Sequence, residues 1–178
     1  MRRFVIFAIL FVLILAGCVQ VQIVFSTPTP KVTSVPRPSP TVIMSGYHTP
    51  VPTGDMYVRL VNVDIPADYL VIRASPSNPT PAPAEDYVSV EVEMVCVADQ
   101  PCRVSPQDFV MVTSGGSVVH PVTNLQGFDD YFKPLLTDTQ LMPNQHLQGL
   151  IFFKMLDGEF IVCVTYHHDQ YDVVFTLD

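Results

Sequence analysis

His167, His168 and Asp169 stand in a row near the end of the 178-residue chain. Two imidazoles and a carboxylate are metal-ligand and acid–base types, but a metal needs three or four such groups converging. Neighbouring side chains on a strand leave by opposite faces, so this run would need His120 or His146 to join it in space. Turn and edge positions explain the same residues more simply. A second group, Phe128, Asp129, Asp130, Tyr131 and Phe132 in "GFDDYF", mixes carboxylates with aromatic rings on the longest loop. It suits contact with a partner, although packing of Phe128, Tyr131 and Phe132 over one end of the fold is the simpler account. The run lacks the spaced oxygen ligands of a calcium loop. Ser114 and Ser117 flank Gly115 and Gly116 without the G-x-S-x-G setting of an activated serine. No catalytic set, metal site or cofactor is therefore expected.

The N-terminus carries different chemistry. Arg2 and Arg3 precede twelve unbroken apolar residues, Phe4 to Leu15. That run is too short for the ~20 residues of a spanning helix and suits the apolar region of a signal peptide. Leu15-Ala16-Gly17-Cys18 follows at once and resembles the lipobox of bacterial lipoproteins. The resemblance implies a signal peptide over 1–17, cleavage before Cys18, and acylation of Cys18 with a diacylglyceryl group and palmitate-type chains. At ~0.8 kcal/mol per buried methylene, such chains hold a protein to a bilayer without any other membrane element. They place it in the cell envelope, facing outside the cytoplasm, with the membrane as one partner.

Charge divides the remainder. Four bases and no acid precede Asp55; from there on, all 17 acids face five bases, a net of −12. So acidic a body repels phosphate backbones, which excludes nucleic acid as a partner. Residues 18–54 hold seven prolines among Thr, Ser and Val. Lost backbone donors and a polyproline bias predict a disordered, semi-extended linker there, spanning between ~35 Å as a coil and ~110 Å fully extended. Residues 55–178 form the domain.

Within that domain the hydrophobic period is two. "MYVRLVNVDI", "YLVIRA", "DYVSVEVEMVCV", "DFVMVT", "SVVHPV", "LQGLIFFKM", "EFIVCVTYHH" and "YDVVFTLD" read as strands. In the third, Val88, Val90, Val92, Met94 and Cys96 share one face and Ser89, Glu91 and Glu93 the other, predicting a half-buried strand. Turns fall at Ser114–Ser117, Leu156–Glu159 and His168–Gln170. The expected fold is an all-β antiparallel sandwich. The order of "YVSVEVEMV", "SPQDFVMVTSGG", "LQGLIFF" and "FIVCVTY" resembles the telokin-like, immunoglobulin-type domain of many bacterial lipoproteins of uncharacterised function. Asn144 of "MPNQ" stands where that family commonly has Gly, a mild departure because Asn tolerates a left-handed backbone. The resemblance implies a fold and brings no catalytic residue.

Three cysteines remain for an oxidising compartment. Cys96 and Cys102 lie either side of "VADQP", and a tight turn there sets them side by side for a disulfide. Pairing of Cys96 with Cys163 is the competitor. If Phe160, Val162, Val164 and Tyr166 face inward, Cys163 faces away, which counts against it. The functional expectation is a lipid-anchored, non-enzymatic module that presents its surface to a protein or envelope component. The alternative is a metal carrier or enzyme built around His167 and His168.

Overall fold

The computed structural model describes residues 39–128 and 133–177. Cys18 and the loop residues Asp129, Asp130, Tyr131 and Phe132 lie outside them. The strands are Thr41–Gly46 (β1), Val51–Pro52 (β2), Met56–Asp64 (β3), Glu85–Cys96 (β4), Cys102–Val104 (β5), Phe109–Thr113 (β6), Val118–Val119 (β7), Thr139–Leu141 (β8), His146–Leu156 (β9), Ile161–His168 (β10) and Tyr171–Thr176 (β11). Among the described residues, one helix, Asp68–Ala74 (α1), and a single 3-10 turn, Pro106–Asp108, interrupt them.

A five-stranded sheet in the order β1-β11-β10-β6-β7 faces a four-stranded sheet in the order β2-β3-β4-β9, with a small β5-β8 pair beside them. Residues of both sheets share one core. Met56, Val58, Leu60, Val88, Val90, Val92 and Met94 meet Phe109, Met111, Val164, Tyr166, Val173 and Phe175. Burial of each such side chain is worth about 1.5–3 kcal/mol. The architecture is thus the expected all-β sandwich, with a notable exception to its antiparallel strand pairing: β1 runs parallel to β11.

That exception corrects the domain boundary. β1 and β2 lie within the 18–54 stretch expected to be linker, yet β1 pairs along its whole length with β11 and Val51 is buried. The physical reason is local: residues 41–49 hold no proline, and Pro52 sits on an edge strand, where a missing donor costs no ladder bond.

"YLVIRA", expected as a strand, is helical. Ala67, Leu70, Val71 and Ala74 repeat at helical spacing and turn inward, while Tyr69 and Ile72 remain exposed. Asp68 in the first turn and Arg73 in the last complement the helix dipole, and the Asp68 carboxylate accepts the Tyr87 backbone N–H at 2.8 Å. The helix covers the outer face of the β4-β9 pair. There it forms a second core with Tyr87, Leu125, Phe128, Leu150 and Phe152.

Two expectations change as a result. β4 is not half-buried, because Tyr87, Ser89 and Glu91 on its outer face are covered as well. Phe128, expected among the partner-contacting residues, is 1% exposed and packs on Phe152 with ring centroids 4.9 Å apart. Its ring belongs to the core. The loop is drawn in by two devices. The buried Asn78 amide donates to the carbonyls of Val71 and Gln126 at 2.9 and 3.0 Å and accepts the Gln126 N–H at 2.8 Å. Gly127, at φ +81°, passes so close to α1 that a Cβ would lie 2.3 Å from the Ala74 carbonyl oxygen.

Parity also shifts within β10. A register shift between Ile161 and Cys163 leaves Phe160 and Val162 exposed, while Ile161, Val164 and Tyr166 point inward. The inward assignment made for Phe160 and Val162 is therefore corrected. We expect Phe128→Ala to destabilise the domain by about 3–5 kcal/mol, the cost of emptying a buried aromatic position. Urea unfolding with an unchanged slope measures it; a midpoint equal to wild type would remove Phe128 from the core.

Candidate functional site

Three turns meet at one end of the sandwich: the β2-β3 turn carrying Asp55, the β10-β11 turn carrying His168 and Asp169, and the Val97–Pro101 turn closed by a disulfide. The last is the best defined by sequence. Cys96 and Cys102 are bonded to each other, six residues apart, and Cys163 is free and half-buried on β10. The disulfide turn in turn holds Asp55. The N–H groups of Val97 and Ala98 donate to the Asp55 carbonyl at 2.8 and 3.2 Å. On the other side Thr53 anchors the same turn, its N–H and hydroxyl both donating to the Met56 carbonyl.

His168 closes the gap between the sheets. Its Nε2 lies 2.7 Å from Asp55 Oδ1 and 4.0 Å from Asp169 Oδ2. The imidazole stacks nearly parallel on Tyr166, with ring centroids 5.5 Å apart, and Tyr166 in turn packs on Phe109. Two residues apart on β10, Tyr166 and His168 share the inward face. Asp169 takes a left-handed backbone, φ 49°, in the tight turn to β11, a conformation that Asp tolerates.

His167 leaves by the opposite face, as strand parity requires, and pairs with Asp172 directly across β11 at 2.7 Å. The two adjacent histidines therefore meet different carboxylates, although both border one polar cleft. His146 pairs with Glu93 on the outer face of the other sheet, and His120 is exposed beyond β7. Neither joins His168. Asp55, which does, lies 113 residues away and was not among the residues singled out in the sequence.

Arg103, Asp108, His167, His168 and Asp169 line a polar cleft of about 130 Å³ beside this cluster. Burial pushes the Asp108 carboxyl above the usual carboxylate range, and the charges of Arg103, His168 and His167 pull it partly back. Burial likewise raises the Tyr166 phenol far above its ordinary value, with Asp108, Asp55 and Asp169 adding to the effect. A metal could be held by Asp55, His168 and Asp169, whose nearest ligand atoms all lie within 4.8 Å of one another.

A second polar array crosses the outer face of the four-stranded sheet. Glu91, 5% exposed, binds Lys133 and Gln148; Glu93 binds Arg59 and His146. Each carboxylate is matched by a donor, the condition for burying such a charge at tolerable cost.

Comparison with known proteins bears on the fold. Neither a protein-family model nor a curated protein matches the sequence. Among solved structures, the yjhA protein of Bacillus subtilis superposes with a TM-score of 0.53 at 13% identity, covering 75% of this chain and 98% of its own. MPT63, a secreted protein from Mycobacterium tuberculosis, gives 0.55 at 11% identity, with 78% and 99% covered. The ycdA protein of B. subtilis, a candidate lipoprotein by its description, gives 0.53 at 16% identity over 74% of this chain and 38% of the longer one. At these identities the likeness is one of fold.

Replacing Cys96 and Cys102 together by alanine should cost about 2 kcal/mol, the loop-closure value for so short a ring. Urea unfolding gives that figure, and faster hydrogen exchange at the Val97 and Ala98 amides is expected alongside it. Unchanged exchange at both amides would show that the disulfide does not hold the Asp55 turn.

Proposed function

We propose that this chain is a lipoprotein of the cell envelope, anchored through acylated Cys18 and facing outside the cytoplasm. Its telokin-like, immunoglobulin-type sandwich serves as a binding module for a protein or envelope component and not as an enzyme. The observation that carries the reading is the order of its parts. Arg2 and Arg3, the apolar run Phe4–Leu15 and the small residues before Cys18 precede a proline-rich stretch and then a β-sandwich with a disulfide. The descriptions of ycdA as a candidate lipoprotein and of MPT63 as a secreted protein accord with an extracytoplasmic place for a sandwich of this kind.

The sandwich suits display. Short turns at both ends of long strands offer surface that can vary while the two-sheet core stays fixed. Asp129, Asp130, Tyr131 and Phe132 remain the residues of the long loop proposed for contact, since Phe128 is committed to the core. The strong negative charge of the body favours a partner with a basic or neutral surface over a phosphate-bearing one.

Metabolic labelling tests the anchor. Full-length chain expressed in bacteria with an alkyne analogue of palmitate should carry the label and partition with membranes. Cys18→Ala should lose the label and accumulate with residues 1–17 attached. Persistent labelling of the Cys18→Ala variant, or a wild-type mature protein that still begins at Met1, would overturn the proposal.

A further inference from the structure

We infer that Asp55, His168 and Asp169 form a binding site for one divalent transition ion of the zinc class, which ties the two sheets together at one end of the sandwich. The inference is independent of membrane anchoring and rests on the geometry of the three turns.

The ligand atoms come from both layers. Asp55 belongs to the β2-β3 turn of the four-stranded sheet, and His168 and Asp169 belong to the β10-β11 turn of the five-stranded one. Two of the three are already fixed. The backbone of Asp55 is held by two amides of the disulfide turn, and the His168 ring is stacked on Tyr166 and largely buried. Asp169, whose side chain is 81% exposed, is free to swing its carboxylate toward a shared ion. A site built from two rigid ligands and one adjustable ligand loses little freedom on binding.

The donor set selects the ion. One imidazole nitrogen and two carboxylates are three protein ligands that leave a fourth position open, an arrangement suited to zinc. Calcium takes six to eight oxygens, and two carboxylates beside an imidazole supply it poorly. His168 Nε2 and Asp55 Oδ1 lie 2.7 Å apart, so a cation held between them takes the place of that hydrogen bond and needs the neutral ring with its hydrogen on Nδ1.

A second observation converges on the same place. Tyr166 is fully buried and its hydroxyl makes no hydrogen bond within the described residues. Its ring lies against that of His168, one of the three ligands, with centroids 5.5 Å apart and the planes nearly parallel. A phenol so placed can donate to a ligating carboxylate or to a water on the open position, the outer-layer support typical of metal ligands. Arg103 and Asp108 complete the rim of the cleft, and with the Asp55 and Asp169 carboxylates present the local charge favours a cation.

The test uses the full-length chain in detergent, stripped with a chelator and titrated with Zn²⁺ alone. Wild type should take up one Zn²⁺ per chain and melt at a higher temperature with the ion than without it. Asp169→Asn alters an exposed side chain, so its metal-free melting temperature should match wild type while its Zn²⁺ affinity falls roughly tenfold or more. His168→Gln should abolish the uptake, and His146→Gln, on the outer face of the other sheet, should bind as wild type does. Wild-type affinity in Asp169→Asn, no Zn²⁺-dependent change in wild-type melting, or displacement of Zn²⁺ by Ca²⁺ at equal concentration would each overturn the assignment. Should His168→Gln fail to fold, Asp169→Asn decides alone.

Discussion

β4 is covered on both faces, and the rest of the domain is arranged around that fact. Its inner residues, Val88 to Cys96 at alternate positions, fill the space between the sheets. On its outer face Tyr87 packs with α1 and Phe128, and Ser89 and Glu91 are buried as well. A slip of one residue would exchange the two sets and drive Glu91 and Glu93 into an apolar core, so the register is determined from both sides at once. The outer carboxylates then fix their own neighbours. Lys133 and Gln148 meet Glu91, and Arg59 and His146 meet Glu93.

The same strand delivers Cys96 to the end of the sandwich, where a sequence of short-range contacts leads across to the other sheet. The disulfide closes the turn, the turn holds Asp55, Asp55 meets His168, and His168 lies over Tyr166 in the core. Each step is local, yet together they connect the centre of one sheet to the turn of the other. Polar groups at the mouth of an apolar sandwich would ordinarily dissolve into solvent. Here they are held in fixed relation by covalent and backbone constraints, which is what a ligand requires of a site.

How much of this could be read from the chain alone depended on the range of the interaction. Strands β3, β4, β6, β9, β10 and β11 were legible because an alternating pattern records one apolar face, and the disulfide was legible because six residues separate its ends. α1 reads as a strand in sequence because its inward side begins and ends in alanine, at 67 and 74, and the segment between them is dominated by Tyr, Leu, Val and Ile. β1 and β2 were hidden by the prolines around them. His167, His168 and Asp169 stand out together, but the sequence points to His120 or His146 to join them, and Asp55 carries no local signal of its role. Nor does "GFDDYF" reveal which ring turns inward, because that depends on Asn78 and on the approach of Gly127 to α1.

β1 and β2 are the outermost strands at one side of the two sheets, and both arise from the proline-rich stretch. A truncated version starting at Asp55 would therefore be stripped along two borders at once. β11 would present the unsatisfied amides and carbonyls of a six-residue ladder, and Ile43 and Val51 would no longer shield the apolar interior. Raw borders of this kind recruit strands from other chains. Adhesion recorded with such a fragment would report the cut and not the native surface, so faithful binding studies have to retain β1 from Thr41 onward.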